Sequence, residues 1–438
     1  MYWPSARKIR WRQAPEPRLP VRAAPMSGQP LRLLLLVPFA PRLDAVHGGA
    51  RVIAQLIGQL ASRHRIALCY LRGADEPGVC AATRARCEVI LEVALPIRGS
   101  LAADLWCERF SVWGQVLAGK PLWAVGRFTP EFTERVRSLV GSWQPDLVQI
   151  EYHIMGQYLP ALDECAAPRV LVQHEPGYDA AHETLQFRHG WLMPYLNWLA
   201  WQRFERTLLQ RVQTVVVFTE RDRRTLAGLC RTTPLVRIPL GAELPPAPLD
   251  PIGSRPLSLL FAGNYIHMPN LEAAIRLTDG IFPAVRAEFP ETRLFIVGNH
   301  APPQLQRRAS DSVIVTGQVP DVTPYLDQAA VVLAPLRYGG GMRVKVLEAL
   351  AAGKALVASR RAIEGLALTD GEQVVLAESD EEFSAAVVDL LSHPERRAAL
   401  SGGAHAWASA NLRWEAVADA YDTLYQRLIR AERASVAA

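Results

Sequence analysis

The 438-residue sequence has no hydrophobic run long enough to cross a bilayer. A spanning helix needs about 18 consecutive apolar residues, whereas the run LRLLLLV at 31–37 has only the length of a strand. A cleavable signal peptide is not predicted either, because no apolar segment directly follows the basic residues at the N-terminus. These absences predict a chain that is soluble or bound to a membrane only at its surface.

Cysteine is scarce, and the common dinucleotide-binding sequence motif is missing. The six cysteines form no CxxC pair and no His/Cys set at metal-ligand spacing, which excludes a disulfide framework or zinc site and indicates reduced, cytoplasmic thiols. The GxGxxG fingerprint is absent, and the second predicted strand ends in LRG without an acidic residue. A nicotinamide-dependent dehydrogenase is therefore poorly supported.

Positive charge is concentrated at the N-terminus. The net charge is +5, and residues 1–25 hold six Arg or Lys side chains and five prolines against one acidic residue, Glu16. We interpret residues 1–27 as a disordered basic tail, or as sequence upstream of the true start. The alternative is a segment attracted to anionic lipid headgroups. Nucleic acid is not an expected partner, because no basic stripe continues into the rest of the chain.

Strand-like apolar runs alternate with helical stretches in both halves, which predicts an α/β fold of two doubly wound, Rossmann-like domains. A segment with five prolines and two glycines, 241–256, separates the halves. We expect a first domain at 28–243, a linker at 244–256, a second domain at 257–410 and a C-terminal helix at 411–438 long enough to cross back to the first domain. The predicted strands are 31–37, 66–71, 147–150, 169–173, 214–218, 235–238, 257–263, 294–298, 313–317, 331–335 and 355–359.

Large aromatic side chains are concentrated in two segments of the first half, 101–128 and 191–204. Ordinary core packing is the favoured interpretation. The alternative is an acceptor-binding or membrane-facing surface, since Trp and Tyr are enriched where a protein surface meets lipid.

The strongest local signal is APLRYGGGMRVKVLEALAAGKALVAS at 334–359. A buried strand is followed by glycines at 339–341 and a helix expected to begin near Met342. Glycines allow close approach of a ligand, and a helix N-terminus attracts an anion. Arg343 and Lys345 are cations in a first turn where the helix dipole disfavours them, which indicates an anionic ligand. Glu348 lies on the same helix face as Lys345, where its carboxylate can accept hydrogen bonds from the two hydroxyls of a ribose. The alternative is an exposed Lys345–Glu348 ion pair.

Two further positions follow predicted strands of the first half. Gly48 and Gly49 lie in the first strand-to-helix turn, where the backbone can approach a phosphate. His174, in VQHEPGYD, follows the strand at 169–173, at the sheet edge where such folds place function. Structural and functional roles for His174 are equally compatible with the pattern. Glu151 and His153 follow the preceding strand and are expected to face the same cleft.

Together these motifs resemble retaining glycosyltransferase family 4, which has the GT-B fold. The glycine signature is preceded, in the family's order, by HGGARV, QHEPG, FTERDRRTL, FAGNYIHMPN, IVGNH and TGQVPDVTPYLDQAAVVLAP. The resemblance covers about residues 31–430. It implies transfer of a hexosyl-type sugar from a UDP- or GDP-linked donor to a glycan or lipid-linked acceptor, in polysaccharide biosynthesis. It further implies retention of configuration, no metal or other cofactor, and a cytoplasmic location, peripheral at the inner membrane face.

The resemblance also assigns residues. Glu348 matches the glutamate that binds the donor ribose, and His174 matches the histidine near the donor sugar. Arg343 and Lys345 are implied to hold the diphosphate and stabilise the leaving group. The other donor-binding positions implied are Gly48, Gly49, Gly263, Gln318, Val319, Gly339, Gly340, Gly341 and Met342. One departure is Gly340, which stands where the family usually has a second glutamate, eight positions before Glu348.

Two other functions remain alternatives. A sugar-nucleotide 2-epimerase of the same fold would bind the same donor, but it would need acid and base groups in the cleft and no acceptor. A non-catalytic sugar-nucleotide-binding partner of another transferase is compatible with the glycine at position 340.

Overall fold

The computed structural model describes residues 29–45, 48–74, 76–96, 112–185, 192–253, 256–341 and 343–437. The basic tail at 1–27, Trp106, Trp191 and Met342 lie outside the described residues. Described residues form two parallel sheets with helices on their faces, which confirms the α/β fold of two doubly wound units.

The first sheet has seven parallel strands in the order β3-β2-β1-β4-β5-β6-β7. These strands are β1 Arg32–Val37, β2 Arg65–Arg72, β3 Val89–Ala94, β4 Leu147–Glu151, β5 Arg169–Gln173, β6 Thr214–Val217 and β7 Leu235–Arg237. The helices around it are α1 Gly48–Leu60, α2 Ala81–Arg86, α3 at 112–117, α4 Leu122–Gly126, α5 Pro130–Trp143, a 3₁₀ helix at His153–Leu162, α6 Gly177–Leu185, α7 Leu192–Leu209 and α8 Glu220–Leu229.

The second sheet has six parallel strands in the order β10-β9-β8-β11-β12-β13. They are β8 Ser258–Ala262, β9 Arg293–Val297, β10 Val313–Gly317, β11 Val331–Ala334, β12 Leu356–Ala358 and β13 Val375–Leu376. The helices are α9 Met268–Arg276, which runs through a π turn at Leu277–Ile281 into α10 Phe282–Glu288, then α11 Pro303–Gln306, α12 Thr323–Gln328, α13 Val344–Ala351, α14 Asp380–Ser392, α15 Pro394–Asn411 and α16 Trp414–Ala437.

Both sheets are covered on both faces, as the continuous apolar strands require. In β1, Leu33 and Leu35 pack into one hydrophobic cluster, whereas Leu34 and Leu36 pack into the other, on the opposite face. Parallel sheets need this double covering because their strands carry no polar face. In each sheet the strand order reverses beside the central pair, β1–β4 and β8–β11. Ligands of open α/β sheets bind at such reversals, outside the carboxyl ends of the strands.

Two strands escaped sequence-based prediction. β3 and β13 lie at sheet edges, and their partly exposed positions weaken the continuous apolar signal. Near the C-terminus, a short break at residues 412–413 separates α15 from α16. The break coincides with a backbone contact, since the Ala242 N–H donates to the Leu412 carbonyl at 2.9 Å.

The last helix, α16, packs against the first domain. Asp419 Oδ1 forms an ion pair with Arg63 Nη1 at 2.6 Å, and Asp422 Oδ1 lies 3.4 Å from His64 Nε2. Farther along the helix, the buried Tyr425 hydroxyl donates to the Gln149 side chain in β4. The chain therefore returns from the second domain and contacts the sheet of the first.

Candidate active site

The loop between β11 and α13 is shaped by its glycines. Gly339 and Gly341 have φ values of 105° and 71°, a region that glycine adopts readily and other residues only with strain. A Cβ at Gly341 would lie 2.8 Å from the His174 carbonyl oxygen, so this loop lies against the turn after β5. The sequence signal at 339–341 thus marks a tight loop held against the other domain.

Arg343 caps this loop rather than extending into open space. Its guanidinium donates to the carbonyl oxygens of Gly339 at 2.5 Å, Gly341 at 2.8 Å and Gly340. Burial, with the neighbouring Arg361, lowers the pKa of Arg343 to about 10, so the group stays charged at neutral pH. The sequence predicted Arg343 to lie in the first turn of the helix, whereas α13 begins at Val344 and Arg343 stands at the cap position. The carbonyl groups of the glycine loop converge on the Arg343 guanidinium, and these hydrogen bonds hold Arg343 outside the helix.

Lys345 is held by the opening motif of the second domain. Its Nζ donates to Asn270 Oδ1 at 2.6 Å and lies 4.3 Å from the centroid of the Phe261 ring. Asn270 is fixed in turn by donating to the Asn264 carbonyl at 2.9 Å. Burial and the charge of Arg343 lower the pKa of Lys345 to about 7. An anion beside this ammonium would favour its charged form.

Glu348 connects the two domains. Its Oε1 forms an ion pair with Arg51 Nη2 of α1 at 2.8 Å, and burial raises the pKa of the carboxyl while Arg51 and Lys345 oppose that rise. The neighbouring turn is equally close, because a Cβ at Gly48 would lie 3.1 Å from the Val344 side chain. The start of α1 therefore meets the start of α13.

His174 is part of a buried polar chain in the first domain. Its Nε2 lies 2.8 Å from Glu151 Oε2, and Glu151 accepts a second hydrogen bond from the Gln149 side chain. The imidazole stacks on Tyr152, with centroids 3.8 Å apart and planes inclined by 6°. Tyr152 has a φ of 66°, a strained value for a non-glycine residue that places its ring under the histidine. Glu151 and Tyr152 thus orient His174.

A network of charged side chains joins α6 and α8 of the first domain to loops of the second. Glu183 Oε2 accepts from the Gly339 N–H at 2.8 Å, and its other oxygen contacts Arg361 and, at 3.2 Å, Arg221. Arg221 also pairs with Asp179 at 2.6 Å, while Arg361 pairs with Glu364 at 2.8 Å. The Glu183 carboxylate of the first domain thereby accepts a hydrogen bond from a backbone N–H of the triple-glycine loop.

The structure brings most of the sequence-selected residues to facing edges of the two domains. Gly48 lies against Val344 at the start of α13, and the His174 carbonyl lies against Gly341 of the triple-glycine loop. Gly263 is near Lys345 through their shared neighbour Asn270, which approaches to 3.1 Å of a Cβ at Gly263. Gln318 and Val319 follow β10 at the same sheet edge, one exposed and the other half-buried. Gly49 is the second residue of α1.

Several cleft residues were not selected from the sequence: Arg51, Glu183, Arg221, Asn270 and Arg361. Arg221 lies within the FTERDRRTL motif, whose Thr219 caps α8 by accepting from the Asp222 N–H at 3.0 Å. That motif offered a signal for Arg221. The ion pairs of Glu183 and Arg361 depend on how the domains meet, which the sequence does not display.

The described part of the chain contains no group of three or more His, Cys, Asp or Glu side chains arranged to hold a metal ion. None of the helices in this part of the chain has the length and apolar character that a membrane crossing needs.

Comparison with solved structures defines the class of fold. Sucrose-phosphate synthase from Thermosynechococcus elongatus superimposes with a TM-score of 0.66 at 17% identity, covering 91% of this chain and 100% of that chain. HepE from Anabaena, solved in complex with UDP and glucose, gives a TM-score of 0.61 at 12% identity, covering 91% and 100%. WaaG, a glycosyltransferase involved in lipopolysaccharide biosynthesis, gives 0.61 at 15% identity, covering 88% and 98%. The chain therefore has the GT-B fold expected from its motifs.

Sequence comparison finds a family match within the second domain. Residues 256–393 match the family model of glycosyl transferases group 1. Phosphatidyl-myo-inositol mannosyltransferase from Mycolicibacterium smegmatis is 31% identical over 174 residues, which are 37% of this chain and 44% of that relative. The chain thus spans less than half the length of this curated relative. The resemblance is confirmed at the level of group 1, over the second domain that carries the glycine signature.

Proposed function

We propose that this protein is a retaining glycosyltransferase that moves a hexosyl-type sugar from a UDP- or GDP-linked donor to a glycan or lipid-linked acceptor. The observation that carries the proposal is the start of α13. A triple-glycine loop, Arg343, Lys345 and Glu348 come together there, and Gly48 and His174 of the other domain close against them.

In this proposal the donor diphosphate lies at the N-terminus of α13, where unpaired N–H groups and the helix dipole favour negative charge. Lys345 contacts a phosphate oxygen, and Arg343 keeps the loop in its binding shape while adding positive charge. Glu348 accepts hydrogen bonds from the ribose hydroxyls. The base rests against the backbone at Gln318 and Val319, with Gly263 leaving space beneath the phosphates.

The chemistry follows from where charge develops. Breaking the bond between the anomeric carbon and the diphosphate leaves negative charge on a β-phosphate oxygen. Donors fixed before the reaction stabilise that charge without reorganising, which is commonly the largest catalytic contribution. Lys345 and the first N–H groups of α13 fill that role here, without a metal ion or other cofactor. His174, oriented by Glu151 and Tyr152, is proposed to contact the donor sugar, and domain closure would exclude water.

We further propose a cytoplasmic protein that contacts the inner membrane face. Support comes from exposed apolar side chains on α3 and α7: Leu117 is 65% exposed, Leu192 49% and Tyr195 41%. The helix after α3, α4, is joined to α7 by the Leu122 N–H, which donates to Asn197 Oδ1 at 2.8 Å. Co-sedimentation with anionic phospholipid vesicles and with neutral ones tests this contact, and equal recovery in the absence of vesicles would contradict it.

The test of the function has two stages. A thermal unfolding screen with UDP- and GDP-sugars identifies the donor, because a ligand at 100 times its Kd adds about 2.7 kcal/mol to the native state. Release of nucleoside diphosphate from that donor is then measured with and without glycan and lipid-linked acceptors. Release that increases with acceptor supports transfer. A donor sugar inverted at C2 without acceptor would instead identify an epimerase, and binding without turnover would identify a non-catalytic partner.

A further inference from the structure

The first domain contains a cavity of about 320 Å³ between α4, α6, α7 and the start of the 3₁₀ helix. Two indole rings form part of its wall, Trp123 and Trp201, and the His153 ring lies between them. The ring centroids are 5.5 Å apart for Trp123 and His153 and 4.5 Å apart for His153 and Trp201, both edge-to-face. Small-molecule sites have volumes of about 300 to 1,000 Å³, so this cavity has room for one small ring.

His153 has unused hydrogen-bonding capacity in this wall. It is 1% exposed, and neither ring nitrogen makes a hydrogen bond of ordinary geometry, although the Gln173 side chain and the Glu175 backbone lie close enough to influence its pKa. The nearest carboxylate oxygen, Glu205 Oε1, lies 3.8 Å from Nδ1, beyond hydrogen-bond distance. Burial lowers the pKa of His153 to about 3, so the ring is neutral and offers one donor and one acceptor.

Glu175 brings the cavity to the catalytic cleft. Its side chain lines the cavity, and its Oε2 lies 3.5 Å from the position of a Cβ at Gly340. Burial raises the pKa of this carboxyl, and Arg343 partly opposes the rise. Because glycine stands at position 340, no side chain separates the carboxylate from the triple-glycine loop.

The charge of the lining restricts the ligand class. Among the described residues around the cavity, none is Lys or Arg, and Glu175 is the single acidic one. A phosphate would meet a carboxylate here without a neutralising cation. A neutral ring with hydroxyl groups fits better, because its C–H faces can pack on the indoles while its hydroxyls donate to Glu175 and to the oriented Asn197 amide.

We propose that this cavity binds a neutral saccharide ring of the acceptor, with Glu175 accepting a hydrogen bond from the hydroxyl that faces Gly340. The inference rests on the proposed transferase function and deepens it by naming the acceptor class. Glu175 here is a binding residue for the acceptor. The lipid or further glycan of a longer acceptor would then extend out of the cavity.

The test uses the full-length protein and ligand-observed NMR. The probes are methyl glycosides of glucose, galactose, mannose and N-acetylglucosamine, with farnesyl phosphate and inorganic phosphate as the competing chemistry. Ala181→Phe fills the cavity from α6, and Glu175→Gln removes the carboxylate. Ala287→Phe, at an exposed position on α10, is the matched control. Nucleotide-induced thermal stabilisation is measured on every variant.

The expected result is that at least one glycoside binds the wild type and the Ala287→Phe control equally. Its affinity should fall at least tenfold in Ala181→Phe and about threefold or more in Glu175→Gln, with nucleotide stabilisation retained in both. Glycoside binding undiminished in Ala181→Phe would overturn the proposal, as would binding of farnesyl phosphate and no glycoside. If Ala181→Phe does not fold, undiminished binding by Glu175→Gln overturns it alone. If no nucleotide or nucleotide sugar raises the thermal stability of the wild type, the result would instead contradict the proposed transferase function.

Discussion

The two domains contribute to the cleft in different ways. The second domain provides its part from one contiguous stretch, in which β11, the triple-glycine loop and α13 follow each other directly. The first domain provides single residues from separate elements, such as Arg51 on α1, His174 after β5 and Glu183 on α6. One side is therefore encoded locally and the other is assembled by the topology. This difference explains why the family match lies in the second domain while the structural match covers both.

The largest loss of stability is expected at a buried polar pair of the first domain, Glu151 and His174. Glu151→Gln should lower the free energy of unfolding by about 1 to 3 kcal/mol, because it replaces one of two buried acceptor oxygens with a donor and leaves a buried polar group poorly paired. Glu151 is 1% exposed and pairs with His174 at 2.8 Å. Urea unfolding measures the change, with the exposed Glu164→Gln as control. Equal stability of the two variants would mean that the pair does not hold the first-domain side of the site.

Substitution of Gly341 in the triple-glycine loop of the second domain should lower stability nearly as much, because the backbone conformation at that position suits glycine and strains other residues. Gly341→Ala forces a side chain into a left-handed conformation, at a cost of about 1 to 3 kcal/mol, and its Cβ would crowd the His174 carbonyl. Gly340→Ala is the matched control, since a Cβ there meets its nearest atoms at 3.5 Å. Urea unfolding should separate the neighbours clearly. Identical behaviour of the two substitutions would show that the loop adopts another conformation in solution.

Protonation of Lys345 should make donor binding depend on pH. Its pKa is lowered to about 7, so the ammonium is present below that pH and is lost as the pH rises through it. Affinity for the nucleotide sugar should therefore fall about tenfold between pH 6 and pH 8, as expected for a group that must be protonated to bind. Lys345→Arg should bind independently of pH over this range. A wild type without pH dependence would remove Lys345 from the phosphate site.

The smallest effect tests whether the two domains meet as described. Arg51 and Glu348 are about 30% exposed, and pairs of that kind couple by about 0.2 to 1 kcal/mol. A double-mutant cycle with Arg51→Met and Glu348→Gln, followed by urea unfolding, measures the coupling. A coupling energy of zero would indicate that this ion pair between α1 and α13 is not formed in the unliganded protein.

Prediction from sequence succeeded where the signal was local and failed where it was not. Apolar runs ended by Pro or Gly marked the central strands of both sheets, whereas the edge strands β3 and β13 were too short or too exposed to detect. The glycine signature correctly identified the loop before α13. The capping role of Arg343 was missed, because its partners are carbonyl groups that converge only after the loop has folded.

The first domain shows the same limit more strongly. Glu151 and His174 were both noted as residues that follow strands, and the parallel order of β4 and β5 places them together. The contact between Glu183 and the Gly339 N–H joins residues 156 positions apart in the sequence. No periodicity or motif reports such a contact, since it depends on the orientation of two domains.

The central claim is that a nucleotide sugar binds at the start of α13. Isothermal titration of the best stabilising nucleotide sugar, with full-length wild type, Glu348→Gln and the exposed control Glu415→Gln, tests it most directly. The account predicts one site per chain, an affinity reduced at least tenfold in Glu348→Gln, and no change in Glu415→Gln. Equal affinity of all three proteins, or no binding by the wild type, would contradict it.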